Sequence, residues 1–353
     1  MITRKRFINQ LIAAAAGTSL LGLKAKESWT APKQPLTFDF HCHPGLFVTK
    51  GTPRYAGDAA VLKTVTTMNS SRLSGAFVSL VADMPLIAIG PTGVSVSHTY
   101  AAGEGWREYQ RQLGLFKELF KSTDVHVSTK AADLEKYASQ DKVAAYLGCE
   151  GGDMLEGNVD RVDEMYKDGV RSIQLVHYVP NDLGDLQTAA AVHNGLSGFG
   201  KDVVGRMNKL GIVVDVAHAS FKTTKDVADV TTKPIILSHS ALALEPDRPI
   251  AQRAISADHA RVVAGTGGVI GMWPSGFFKN FDEFVDGTLR MIEVAGADHV
   301  GLGTDMDGNF KPVMESYSQL AAWGEALRAK GLSEEETWKV LGGNALRVLK
   351  AVL

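Results

Sequence analysis

Eight short β-rich runs, separated by amphipathic stretches, constrain this chain more than any other feature. They lie at 36–41, 74–80, 143–149, 170–177, 212–218, 234–239, 267–273 and 299–304, with helical patterns such as 158–168, 201–210, 220–230 and 256–265 between them. Stretches such as Val143-Ala144-Ala145-Tyr146-Leu147 and Ile212-Val213-Val214 are apolar without alternation, the pattern of parallel strands covered on both faces. Eight of them in strict alternation with helices predict an α/β fold, a (β/α)8 TIM barrel, because an open doubly wound sheet usually has fewer strands. C-terminal helices are expected at 313–330 and 334–350, the second opening on the capping-box sequence Ser333-Glu334-Glu335-Glu336. The longest connection, 81–142, carries a helix around 103–121 whose Trp106, Tyr109, Leu113, Leu115, Phe116 and Phe120 should pack against the barrel.

Composition narrows the partners. At 353 residues, with 45% hydrophobic and 22% charged residues, the chain can bury a large core. A formal net charge of −2 gives no electrostatic reason to expect nucleic acid or an anionic membrane surface. Two cysteines, Cys42 and Cys149, make no disulfide framework. The first 30 residues differ from the rest: a basic start, Arg4-Lys5-Arg6, then an apolar run from Leu11 to Leu23. That is the layout of a signal peptide, and the run is short for a membrane span. Arg4-Lys5-Arg6-Phe7 resembles a twin-arginine signal although no two arginines are adjacent, so the twin-arginine and general secretory routes both stand. The expectation is a signal peptide at 1–30 and a single barrel domain at 31–353, in a periplasmic or extracellular protein. An uncleaved N-terminal membrane tether or a cytosolic tail is the other reading.

Nearly every predicted strand ends in a residue that can ligate a metal or carry a proton. His41 and His43 close the first, Glu150 the third, His177 the fourth, His218 the fifth, His239 the sixth and Asp305 the eighth. In a barrel the βα loops converge at that edge. Side chains alternate along a strand, so Asp39, His41 and His43 should share one face. Tyr146, Gly148 and Glu150 should face inward, as should Val214, Val216 and His218, then Ile235, Leu237 and His239, and then Gly301, Gly303 and Asp305. By the same rule Cys42, Cys149 and Asp215 turn toward the helix layer, the thiols as packing groups. Asp307 shares the inward parity of Asp305 but lies further along its loop and reads as structural. His98, His126, His193, His259 and His299 have no positional claim to chemistry.

So many imidazoles with two carboxylates exceed what one tetrahedral Zn2+ needs. They suit a pair of ions roughly 3.5–4 Å apart, sharing a bridging carboxylate and a hydroxide. Glu150, with two oxygens and a place between the histidine pairs in barrel order, is the natural bridge. Asp305 serves as the proton carrier beside the bridging water. The chemistry is metal-assisted hydrolysis of an amide or ester.

At these residues the sequence resembles the membrane dipeptidase (renal dipeptidase) family, M19 zinc peptidases on an amidohydrolase-type barrel. The matching stretches include Gly148-Cys149-Glu150-Gly151-Gly152, Gln174-Leu175-Val176-His177, Val214-Asp215-Val216-Ala217-His218, Ile236-Leu237-Ser238-His239-Ser240, Gly301-Leu302-Gly303-Thr304-Asp305-Met306-Asp307-Gly308 and Leu341-Gly342-Gly343-Asn344. The resemblance implies two Zn2+ ions, with Glu150 bridging, His218 and His239 on one and His41 on the other. It further implies that His177 contacts the scissile carbonyl or its oxyanion, and that Arg253 grips the substrate's C-terminal carboxylate. Two departures matter. The family's His-x-Asp is here His41-Cys42-His43, which makes His43 a neutral ligand where the family has an anion, and the family's pocket Tyr before Pro is here Trp273. The implied activity is a dipeptidase, with a D-residue at the C-terminal position among the open substrates and a homodimer as a compatible assembly. N-acyl amino acids or lactones are the alternative substrates for an amidohydrolase-type enzyme, and a non-catalytic binding barrel is the third reading.

Overall fold

The computed structural model describes residues 35–90, 93–121, 123–243 and 247–353. The expected signal peptide therefore lies outside the described residues. Among the described residues there are eleven strands: β1 (Phe38–Cys42), β2 (Gly75–Val81), β3 (Ile87–Gly90), β4 (Gly93–Val96), β5 (Val125–Ser128), β6 (Val143–Glu150), β7 (Val170–Gln174), β8 (Val213–Asp215), β9 (Ile236–Ser240), β10 (Val269–Met272) and β11 (Val300–Leu302). All eight runs read from the sequence are strands. They pair in parallel in the order β1, β2, β6, β7, β8, β9, β10, β11, and β11 returns to β1 to close the barrel. The sequence reading missed the antiparallel hairpin β3–β4 and the short β5. Both fall in the long 81–142 connection, and four-residue strands carry too little periodicity to be seen. β5 borders the first half of β6, pairing Val125 with Val143, and β7 takes over from Leu147.

The helices are α1 (Asp58–Ser70), α2 (Glu104–Leu119), α3 (Ala131–Ala138), α4 (Arg161–Lys167), α5 (Gly198–Leu210), α6 (Phe221–Val230), α7 (Ala257–Gly265), α8 (Phe281–Ala295), α9 (Leu320–Ala329), α10 (Glu334–Trp338) and α11 (Asn344–Val352). Serines start several of them: the hydroxyls of Ser197, Ser220 and Ser256 accept from the amides of Gly200, Thr223 and His259, satisfying donors that the first helical turn leaves free. Ser333 and Glu336 form the expected capping box. The stretch expected as one helix at 334–350 is instead α10 and α11 joined by a wide π-turn over Lys339–Gly343. A Cβ on Gly342 would sit 2.6 Å from the Leu36 carbonyl, so this glycine lets α11 close against the entry to β1. Asn344 then donates to the carbonyls of Ala297 and Val300, tying α11 under the barrel floor.

Inside the barrel, Phe38, Phe40, Phe77, Tyr146, Val213, Ile236 and Val269 form one apolar cluster with Val348, Leu349 and Val352 of α11. This fixes which face of each strand points in, and it corrects several expectations. Phe38 and Phe40 face inward, so Asp39 faces out, where it accepts hydrogen bonds from Thr304 (backbone and hydroxyl), Tyr317 and the His41 amide. A register shift between Asp39 and Cys42 then reverses the alternation, so His41 points in and Cys42 stays out. In β8 the inward residues are Val213 and Asp215, not Val214 and Val216, and Asp215 accepts from the amides of Ala217 and Ser238. In β9 it is Ile236 that faces in, with Ile235 and Leu237 in the outer layer. A second register shift, between Ile270 and Met272 of β10 against β9, brings His239 back to the interior edge.

α2 packs Tyr109, Leu113 and Phe116 into the outer core, as its aromatic content suggested. On the far side of the barrel His259 of α7 is buried, with Nε2 2.8 Å from the Thr224 hydroxyl. Burial, aided by the charge of Arg253, lowers this imidazole from 6.5 to about 4. Between those pH values the unfolded chain binds a proton that the folded chain refuses. Stability is therefore full above pH 6.5 and falls on acidification by up to about 3 kcal/mol. Urea titrations at pH 7 and pH 4.5 should show a smaller acid loss for His259→Gln than for the parent; equal losses would contradict this assignment.

Candidate metal centre

The C-terminal edge of the barrel gathers the strand-end residues around Glu150, the last residue of β6. His41 Nε2 lies 3.2 Å from Glu150 Oε1, and His43 Nε2 lies 3.2 Å from Oε2. On the other side, the Nε2 atoms of His177, His218 and His239 are 3.4, 3.6 and 3.8 Å from Oε1. Asp305 Oδ1 is 3.4 Å from His43 Nε2. None of these side chains belongs to a residue more than 8% exposed. Backbone geometry contributes: His218 (φ 64°) and Asp305 (φ 51°) both adopt the left-handed conformation, which is uncommon outside glycine and aims the side chain where plain strand alternation would not.

Three overlapping triplets hold ligand atoms within 4.8 Å of one another: His41, His43 and Asp305; His41, Glu150 and His239; and Glu150, His177 and His218. Their electrostatics suit a cation. Burial opposes ionisation of Glu150, yet His177 and His41 outweigh it and hold the carboxyl well below the usual range. Burial, with Arg253 among its allies, pushes His218 and His239 well below the ordinary imidazole value, so both rings are neutral and free to ligate. Their Nε2 atoms are 3.1 Å apart. Two protonated rings at that distance would repel by roughly 5 kcal/mol even at an effective dielectric constant of 20, whereas two lone pairs turned to one cation need about this separation. His41 Nε2 is buried without a hydrogen-bond partner. His43 donates from Nδ1 to the Ser79 carbonyl (3.0 Å), which turns Nε2 toward Glu150 and Asp305. Burial pulls His43 down, but Asp305 and Glu150 raise it to about 10, so a cation bound at its Nε2 would have to displace a proton. The neutral His218 and His239 rings, the unpartnered His41 Nε2 and the Glu150 carboxylate form a donor set that fits divalent cations.

Arg253 stands beside this centre. Its guanidinium is buried, with Nη2 3.3 Å from His239 Nε2 and Nη1 2.5 Å from Gln187 Oε1, and no carboxylate among the described residues pairs with it. The Trp273 ring lies 5.5 Å from the guanidinium carbon and edge-on to His239, with its own Nε1 unpartnered. Tyr178 packs edge-to-face between His177 and His218, and the charge of Arg253 acts on its hydroxyl. All the predicted site residues thus converge in one place. Cys42 and Cys149 do not: their thiols turn to the carbonyls of Phe77 and Gly151. Asp307 accepts from the Gly45 amide and the Thr64 hydroxyl, a staple between the first and last βα loops.

Asp83 escaped the sequence reading. It lies just past β2, the strand for which no edge residue had been found, and its Oδ1 is 2.6 Å from His177 Nδ1. Burial and the neighbouring Asp83 charge raise Asp153 to about 7. Burial pulls His177 down, but Asp83 and Glu150 together leave it raised.

A closed parallel barrel with a histidine–carboxylate cluster at its C-terminal edge defines a metal-binding barrel of amidohydrolase type. Residues 55–353 match the family of membrane dipeptidases (peptidase family M19), and the chain belongs to that family. The dipeptidase tcpJ of Claviceps purpurea (strain 20.1) is 31% identical over 260 residues, which are 70% of this chain and 60% of that protein. Among solved structures, the probable dipeptidase PvdM from Pseudomonas aeruginosa superposes with a TM-score of 0.75 at 19% identity, over 90% of this chain and 96% of that one. A metallo peptidase from Rhodobacter sphaeroides, liganded with a phosphinate mimic of the dipeptide L-Ala-D-Ala, gives 0.74 at 19% identity, over 90% and 99%. At that identity the two structures show the fold.

The geometry around Glu150 has a direct consequence for metal loading. Glu150→Gln removes the one anion shared by both sides of the cluster, and should lower metal content per chain to below half of the parent value by elemental analysis after dialysis. Full retention would show that the imidazoles and Asp305 hold metal without it.

Proposed function

We propose that this protein is a dizinc dipeptidase whose substrate is anchored by its C-terminal carboxylate. The observation that carries this is the guanidinium of Arg253, buried beside the metal centre and paired with no carboxylate among the described residues. Leaving a buried cation unpaired costs several kcal/mol, and a planar carboxylate pairs with guanidinium in two parallel hydrogen bonds. Such a seat measures where a peptide ends, which suits an exopeptidase for very short substrates.

On this reading His41 and His43 would hold one zinc and His218 and His239 the other, with Glu150 shared between the two sides. Ions held there would supply an acidified water and a polarised carbonyl oxygen. The chain's own residues do the rest. Asp305, at the His43 side, takes the proton of the attacking water and returns it to the departing amine nitrogen. His177, held at Nδ1, offers Nε2 to the scissile carbonyl oxygen as negative charge develops on it. Trp273 and Tyr178 wall the pocket around Arg253, keeping water from the ion pair. The ligand of the Rhodobacter sphaeroides neighbour favours a D-residue at the C-terminal position among the substrates to try. The basic and apolar leader at the N-terminus supports export to the periplasm or beyond.

Zinc content and turnover of a panel of L-L, L-D and Gly-D dipeptides test the proposal together; no zinc and no turnover would end it. Arg253→Ala should collapse the preference for a free dipeptide over its C-terminal amide by about 100-fold, mostly through KM, as expected for losing a buried charge pair. A preference that survives the substitution would place the carboxylate elsewhere.

A further inference from the structure

The βα loop after β2 contributes one buried carboxylate that takes no part in the metal or proton chemistry above. Asp83 is 0% exposed. Its Oδ1 faces His177 Nδ1 at 2.6 Å, and its Oδ2 accepts from the backbone amides of Tyr178 and Val179, both at 3.0 Å. These bonds join the end of β2 to the loop that follows β7. Three consecutive residues, His177 to Val179, are thereby fixed to one anion. Each of the first two faces a different end of the site. His177 Nε2 is 3.4 Å from Glu150, at the metal centre, and Tyr178, edge-on to His218, lies within the field of Arg253, at the carboxylate seat.

We propose that Asp83 is a positioning residue: it sets the His177 ring, by its Nδ1 bond, at the scissile carbonyl, and sets Tyr178 at the carboxylate seat, so that the two ends of a dipeptide register together. This rests on the dipeptidase reading. An imidazole has two nitrogens, and a bond from one decides which atom the other presents. The bond is charge-assisted and buried, where such bonds are strongest. The two backbone amides keep the carboxylate itself from rotating. Without it the His177 ring can turn about its side-chain bonds, and displacements near 1 Å at a reacting centre cost about 100-fold in rate.

The test is a double-mutant cycle on the zinc-loaded enzyme. Asp83→Asn, isosteric and still able to accept from a backbone amide, should lower kcat on a cleaved dipeptide by about 100-fold while metal content holds. In a His177→Ala background the same substitution should cost less than about 3-fold, because the ring it positions is gone. A merely structural Asp83 would cost the same in both backgrounds, and that equality would overturn the proposal. Asp83→Glu, which keeps the charge but moves it by one methylene, should fall between parent and Asp83→Asn. Independently of turnover, 15N-histidine labelling should show a downfield Nδ1–H resonance that disappears in His177→Gln and in Asp83→Asn. Its absence from the parent would also overturn the proposal. If the parent cleaves no dipeptide, the dipeptidase reading falls, and this resonance alone decides whether Asp83 holds the ring.

Discussion

The carboxylate of Glu150 is the charge on which this barrel edge depends. Five imidazoles crowd within 3.2–3.8 Å of it, all nearly excluded from water. In a buried site such a gathering is unfavourable in most protonation states: cationic rings repel one another, and neutral rings leave lone pairs unpartnered. The anion resolves part of the conflict by drawing the His41, His43 and His177 side toward itself. The remaining conflict, two neutral rings at His218 and His239 with facing Nε2 atoms, is what a cation resolves. Metal binding is thus written into the energetics of these side chains rather than added to a surface that would be comfortable without it.

The barrel delivers these groups by breaking its own regularity. A uniform strand sends alternate side chains inward, and the inward row of β1, β8 and β9 is set by Phe38, Phe40, Val213 and Ile236 in the floor cluster. Continued without interruption, that row would place Cys42 at the edge and turn His41 outward. Register shifts in β1 and β9 and the left-handed backbone of His218 reverse it one layer above the core. The polar groups exposed by each irregularity are then satisfied locally. Asp39 collects the Thr304 and Tyr317 hydroxyls outside the barrel, and Asp215 takes the Ser238 amide that the ladder no longer uses. Apolar floor and polar rim thus belong to different registers of the same strands.

Much of this was legible in the sequence, and the rest was hidden for physical reasons. The eight strands were visible because buried parallel strands are long apolar runs, whereas β3, β4 and β5 are too short to show a period. The site residues were visible because each closes a strand, and position along the strand survives a bulge. Facing does not: one inserted residue inverts every side chain beyond it, and nothing in Ile235–His239 announces the insertion. The expected faces of Asp39, Val214, Val216, Ile235, Leu237 and Asp215 were therefore reversed. Asp83 was hidden differently. It follows Val81-Ala82 after the strand has ended, and only its proximity to His177, 94 positions later, gives it meaning.

Arg253 connects the two halves of the site. It is the buried cation nearest His239, and its charge is among the causes that keep both His218 and His239 deprotonated. On the dipeptidase reading the same guanidinium waits for a carboxylate. Loading the centre with divalent ions would bring further positive charge next to Arg253, against the carboxylates of Glu150 and Asp305 in the cluster and of Asp83 behind His177. The loaded site then carries an excess of positive charge in a low dielectric, where such charge is felt over the whole pocket. A substrate with a free terminal carboxylate relieves that excess, and one capped as an amide does not. On that reading, selection for a free C-terminus would follow from the charge of the whole site as well as from the shape of its guanidinium.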